Sequence, residues 1–249
     1  MLGETYFETV SGLIQKLRET QMETVHAAAR QIAPLMERGG ILYAFGTGHS
    51  HITAIDITKR AGGLVQAKAL LPYELTLDSN ADKTMLMERM DGLADILFAT
   101  TPIRREDALI IISNSGRNAV PVQMALLAKE RGIFTVAVTN VAHSKSVTSR
   151  DKSGKRLYEI CDMVLDMCGV PGDTAVPVPG TGWSTGPIST IAGSTLLQAM
   201  MCDIIGIMLQ DGVSPAVFQS MNLDGNDEIN RLTTECLYQN FPELKYYLK

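Results

Sequence analysis

The sequence predicts a doubly wound α/β fold, one main domain in which a parallel sheet carries helices on both faces. Two stretches and the composition support this. Residues 107–139 run from an apolar stretch, "ALIII", through a polar turn, "SNSG", and an amphipathic segment over 117–131 to a second apolar stretch, "FTVAVT". Strands that are apolar throughout belong to a sheet buried on both faces, and their alternation with helices makes it parallel. Residues 41–71 repeat the order with "ILYAF", the loop "GTGHSH", a helical run and "LVQAKALL". With 249 residues, 45% of them hydrophobic, the chain has enough apolar material for such a core.

Ahead of the first strand, Tyr6, Val10, Leu13, Ile14, Leu17, Val25, Ala28, Ile32 and Leu35 recur at three- and four-residue spacing. That pattern predicts one long amphipathic helix stopped by Gly39 and Gly40. After the strand at 41–45, a helix is expected over 50–63, with Ser50 as its N-cap and the Gly62–Gly63 pair as its stop. Residues 72–106 have no single period. Met85, Leu86 and Met90 suggest a short helix there, and "ILFAT" (96–100) is compatible with an extended stretch.

Beyond 139, "MVLDM" (163–167) is a further apolar stretch. The Gly/Pro-rich segment 169–187 carries Trp183 and several valines, so it reads as an ordered loop rather than a linker. The run 191–209 has the length of a membrane span, but Asp203, Ser194, Thr195 and Gln198 within it favour a helix packed on the sheet. A last helix is expected at about 226–240. The chain thus divides into an N-terminal helix (1–40), a main domain (41–212) and a C-terminal helical extension (213–249).

A formal charge of −5 gives no support for binding nucleic acid or an anionic membrane. Cys161, Cys168, Cys202 and Cys236 are scattered, which suits a reducing compartment and neither a zinc ribbon nor a disulfide scaffold. The N-terminus lacks a basic region followed by an apolar core, so a cytoplasmic location is expected. "NLDGNDE" (222–228) superficially resembles a calcium loop but lacks the glycine and terminal acid that such a loop needs; no metal is expected. Asp224 and Gly225 suit a turn, and Asp227 or Glu228 either opens the last helix or reaches a neighbouring subunit's site.

In an open parallel sheet, ligands sit at the carboxyl ends of strands where the strand order reverses. The loops "GTGHSH" and "SNSGRN" both lead from a strand into a helix, where free backbone amides favour an anion. Ser113 and Ser115 add hydroxyl donors, and Gly116 admits the anion close to the backbone. Simple strand-to-helix capping is the ordinary alternative for one such loop; two in one sheet favour a ligand. Neither loop has the GxxxxGK[ST] of a nucleotide triphosphate site. The first places Gly46 and Gly48 as a dinucleotide loop would, but has His51 at its third glycine, so no nicotinamide or other cofactor is expected.

"ILYAFGTGHSHITA" followed by "DALIIISNSGRNAVPVQMALLAKERGIFTVAVTN" resembles the sugar isomerase (SIS) domain, found in phosphoheptose isomerases and the sugar-binding half of glucosamine synthase. The likeness extends through "ERMDG" (88–92), "GPISTIAG" (186–193) and "NLDGNDEIN" (222–230), and is greatest to a stand-alone subgroup related to phosphoheptose isomerases. It implies a five-stranded parallel sheet, a sugar phosphate as ligand, and a homodimer or homotetramer. Ser113, Asn114, Ser115 and Asn118 would surround the phosphate, with Gly48 and Gly116 in the two loops and Ser50 reaching across from the first.

The likeness does not extend to the isomerase's catalytic pair. The position of its glutamate falls at or near Arg60, and none of His26, His49, His51 and His143 lies in the 187–211 segment where its histidine would be. Candidates for proton transfer are therefore taken from chemistry: His49 and His51 in the first loop, Asp56 in the following helix, and Glu88, which would share a helical face with Asp91. Each has a plainer role open to it, respectively packing the turn, pairing with Lys59 or Arg60, and lying on a solvated face. Arg60 is a candidate for a substrate anion, and Glu74 a weaker base. The expected function is an aldose-ketose isomerase or related enzyme on a sugar phosphate; the alternative is a non-catalytic phosphosugar sensor.

Overall fold

The computed structural model describes residues 1–78 and 80–248. Strands β1 (Leu42–Gly46), β2 (Ala67–Leu70), β3 (Ala108–Ile112), β4 (Phe134–Thr139) and β5 (Met163–Asp166) form one sheet. It is parallel throughout, in the order β2-β1-β3-β4-β5. As the continuous apolar runs require, β1 and β3 are buried along their whole length. Successive side chains feed opposite layers: Leu42, Ala44, Ile110 and Ile112 join one core, and Tyr43, Phe45, Leu109 and Ile111 the other.

The first layer is covered by α1 (Leu2–Glu37) and α7 (Ser189–Gln210), which pack against each other. Helix α1 ends as its glycines predict: Gly39 takes φ +85°, and the amides of Gly39 and Gly40 close on Met36 O at 3.0 Å and Leu35 O at 2.9 Å. Helix α7 is the single helix among the described residues long and apolar enough to cross a membrane. Its Leu196, Leu197, Met200, Met201 and Ile204 are buried in the α1 layer of the core. The opposite layer holds α4 (Leu93–Thr100) and α5 (Ala119–Glu130), with α8 (Asn226–Asn240) and α9 (Leu244–Tyr247) at its margin.

Three local expectations are corrected. The helix after the first loop, α2, spans only Ser50–Ile55, and Ser50 is its first helical residue, with His49 in the cap position. It stops because Lys59 adopts a left-handed φ of +48° while the Asp56 carbonyl is taken by Arg60 Nη1 at 3.1 Å and Gln198 Nε2 at 2.9 Å. "ILFAT" is helical: Gly92, at φ +82°, opens α4, and Ala94 and Phe98, one turn apart, are buried on the α5 side of the sheet. The 169–187 segment forms an antiparallel hairpin, β6 (Thr174–Pro177) with β7 (Ser184–Pro187). Of the remaining helices, α3 (Ala81–Met87) lies in the aperiodic stretch and α6 (Val141–Lys145) follows β4.

The strand order positions the site. From β1 the chain moves outward to β2, then crosses to the other side of β1 to form β3, so the carboxyl ends of β1 and β3 flank the reversal. Gly46 and Ile112 are register partners, which starts the two candidate loops at the same level.

Candidate functional site

A cleft of about 290 Å³ opens at this reversal. The first loop gives it Thr47, Gly48, His49 and Ser50, the second Ser113, Asn114, Ser115 and Asn118, and α3 with its approach Leu77, Ala81, Thr84, Met85 and Glu88. Most of the residues expected around a phosphate are thus brought together, along with one carboxylate.

The second loop is shaped by its own side chains. Ser113 Oγ accepts the Gly116 amide at 3.1 Å, which leaves the hydroxyl proton available to an anion. Gly116 sits at φ +59°, and its carbonyl accepts Leu157 N–H at 2.8 Å. Asn118 caps the α5 position without a side-chain cap bond. In the first turn of α5, Val120 N–H is spent on Glu88 O at 3.1 Å, and Pro121 has no amide proton. The helix end therefore offers fewer free donors than a generic strand-to-helix loop.

The first loop is braced differently. His51 is buried, and its Nδ1–H donates to Gly48 O at 2.6 Å; because a carbonyl only accepts, the proton is on Nδ1. The imidazole locks the turn from behind and does not line the cleft. His49 is exposed and stands at the rim. Asp56 and Arg60 pair with each other, and Gln198 Nε2 donates to Asp56 Oδ2 at 2.9 Å, so neither reaches the cleft.

Glu88 ties the two loops together. Thr47 Oγ1 donates to one carboxylate oxygen at 2.7 Å and Asn118 Nδ2 to the other at 2.7 Å. Burial pushes the carboxyl above its ordinary range, opposed by the Thr47 hydrogen bond and by Arg89 and Arg150. Arg150 Nη1 in turn donates to Asn118 Oδ1 at 2.9 Å, which fixes the amide so that its NH₂ faces Glu88. Asp91 lies beyond the end of α3, so the helical face expected for it and Glu88 does not form, and it faces Gln123 and Lys152 instead.

Thr47 and Arg150 did not stand out in the sequence. Thr47 carried a usable signal, a hydroxyl residue at the end of a parallel strand. Arg150 carried none: it reaches Asn118 from 32 positions away.

A crevice at the reversal of a five-stranded parallel sheet, edged by a serine-rich loop, defines a doubly wound α/β domain with one candidate site at the head of its sheet. Residues 5–140 match the family model described as SIS domain, and the chain belongs to that family. It is 37% identical over 241 residues to a UPF0309 protein of Geobacillus thermodenitrificans, covering 97% of each chain. Among solved structures, it is similar in fold to phosphoheptose isomerase GmhA from Neisseria gonorrhoeae, with TM-score 0.51 and 18% identity over 82% of this chain and 96% of that one. It is also similar to the Vibrio vulnificus NanR protein complexed with ManNAc-6P, with TM-score 0.50 and 13% identity over 96% of this chain and 69% of that one.

Proposed function

We propose that the chain binds a sugar phosphate in this cleft and transfers protons on the bound sugar, in an aldose-ketose isomerisation or a related enolisation. The serine loop holds the phosphate, and the sugar extends from it towards α3. One observation carries the catalytic part: Glu88 lies between the two loops, with a carboxyl whose affinity for protons is raised by burial. Isomerisation needs a base that removes a proton from the carbon beside a carbonyl and returns it to the neighbouring carbon. A single carboxylate tuned upward can do both. His49, at the rim, is placed to assist ring opening. We further propose a homodimer or homotetramer as the working form.

A sensor is the second reading, and a specific feature favours it: both Glu88 oxygens already accept hydrogen bonds, as they would in a purely structural strut. The two readings separate on a panel of hexose, heptose and amino-sugar phosphates followed by thermal stabilisation and product formation. For the enzyme, Glu88→Gln is expected to keep ligand-induced stabilisation and lose turnover by at least about 100-fold. Stabilisation of the wild type without turnover across the panel supports the sensor. Both readings fail if no phosphosugar stabilises the protein and Ser113→Ala with Ser115→Ala changes nothing.

A further inference from the structure

The neutral donors of the two loops recognise a tetrahedral oxyanion by shape, and a sulfate ester has the same shape as a phosphate ester. What differs is charge, and the surroundings of the cleft are built for charge. Arg89 follows Glu88 at the end of α3, Arg117 lies inside the second loop, and Arg150 comes from the segment after α6. Arg150 ties the group together: its backbone amide donates to Arg117 O at 2.8 Å, and its Nη1 holds Asn118. Arg117 donates from Nη2 to Thr148 Oγ1 at 3.4 Å, and its Nε is buried without a partner. None of the three forms an ion pair among the described residues.

The acids adjacent in sequence offset them only in part. Asp91 pairs with Lys152 at 3.3 Å, and Asp151, which accepts Gln123 Nε2 at 2.7 Å, keeps its charge, leaving a positive balance. Burial, and then Arg117 and Arg89, weaken the hold of Arg150 on its proton, with Glu88 acting the other way. Arg89 and Arg150 thus act on the Glu88 carboxylate, and Arg117 acts on Arg150, in a chain whose formal charge is −5. None of the three lines the cleft itself, so they act on a bound anion as a field from its surroundings, and such a field attracts and retains anions in proportion to their charge.

Building on the phosphosugar reading, we infer that Arg89, Arg117 and Arg150 form an electropositive collar that makes the cleft select a dianionic head group, a phosphate monoester, over a monoanion of the same shape. The loops supply the geometry and the collar supplies the discrimination.

The test compares glucose 6-phosphate with glucose 6-sulfate by calorimetric titration at pH 8, where a phosphate monoester with a second pKa of about 6 is a dianion. Inorganic phosphate is titrated alongside at about 50 and 200 mM salt. The proteins are the wild type, a triple variant with Arg89→Gln, Arg117→Gln and Arg150→Gln, and a triple variant with lysine at the same positions. The wild type is expected to prefer the phosphate ester by about tenfold or more, the glutamine variant to lose most of that preference, and the lysine variant to keep it. Inorganic phosphate binding is expected to fall more steeply with salt in the wild type than in the glutamine variant. An unchanged preference and salt response in the glutamine variant overturns the collar and leaves the phosphosugar reading standing; so does loss of both in the lysine variant as well. Failure of the wild type to bind inorganic phosphate or either ester overturns the collar, and the phosphosugar reading is then decided by the panel of hexose, heptose and amino-sugar phosphates.

Discussion

The two loops at the head of the sheet share a plan and differ in what holds them. Each follows a strand of the same register pair, and each turns on a left-handed glycine, Gly48 at φ +54° and Gly116 at φ +59°. A side chain on Gly48 would meet nothing, whereas a Cβ on Gly116 would come within 3.0 Å of Thr139 Oγ1, 3.1 Å of Ser144 Oγ and 3.2 Å of Leu157 Cβ. The second loop is a moulded cradle backed by β4 and α6. The first is an open turn held by hydrogen bonds rather than by packing, from His51 to the Gly48 carbonyl, from the Gly48 amide to Leu75 O at 2.9 Å and from Thr47 to Glu88. A glycine in such a loop can therefore serve conformation alone, or conformation and packing together.

Substitution at the two glycines tests that difference most strongly. Gly116→Ala is expected to cost about 2–4 kcal/mol in denaturant unfolding, the sum of left-handed strain and crowding. Gly48→Ala should cost only the conformational part, about 1–2 kcal/mol. Equal losses would show that the contacts behind Gly116 relax freely, and the distinction between the loops would go. His51→Phe probes the pin of the first loop. It keeps a buried ring but removes the imidazole donor to the Gly48 carbonyl, which retains only the His51 backbone N–H at 3.2 Å, an expected loss of about 0.5–1.5 kcal/mol, with no comparable change when His49, at the rim, is altered.

This asymmetry also marks how far the sequence could be read. Apolar runs such as "ALIII" and "FTVAVT" specify buried parallel strands because nothing else accommodates them, so the sheet, the long α1 and α8 at 226–240 are all legible. The extent of α2 was not, because what stops it is the capture of the Asp56 carbonyl by Gln198, 142 positions away. "ILFAT" has strand-like composition, and its helical state follows from the packing of Ala94 and Phe98 in the α5 layer. At the site, the polar loop residues announce themselves by type and place. The bridge from Thr47 through Glu88 to Asn118 and Arg150 joins four separate segments, and no local pattern encodes it.

Glu88 connects the loops through its protonation state, which gives a pH test of their coupling. Its carboxyl is raised from 4.5 in the fold by burial, so the native state binds its proton more tightly than the unfolded chain does. The contribution is therefore fully present below the ordinary carboxylate value and is lost as pH rises through the raised one. The difference in unfolding free energy between wild type and Glu88→Gln should fall, from the wild type's side, as pH rises above about 4.5. A difference that rises with pH instead would mean that Thr47, Asn118 and the arginines outweigh burial, and that Glu88 is an ordinary ionised strut between the loops.

The smallest expected effect lies just outside the cleft. Asp56 and Arg60 face each other at the end of α2, with Arg60 about half exposed at 48% and Asp56 at 26%. An exposed pair of this kind contributes about 0–1 kcal/mol, screened by salt. Arg60→Gln should therefore change stability by less than about 1 kcal/mol and leave phosphosugar binding untouched, since the guanidinium is held by the Asp56 carboxylate and carbonyl rather than turned to the loops. Asp56→Asn should cost somewhat more, because Gln198 also donates to that carboxylate. If Arg60→Gln instead lowered phosphosugar affinity several-fold, the ion pair would have to open on binding, and the first loop would contribute a cation to the site rather than a pinned turn.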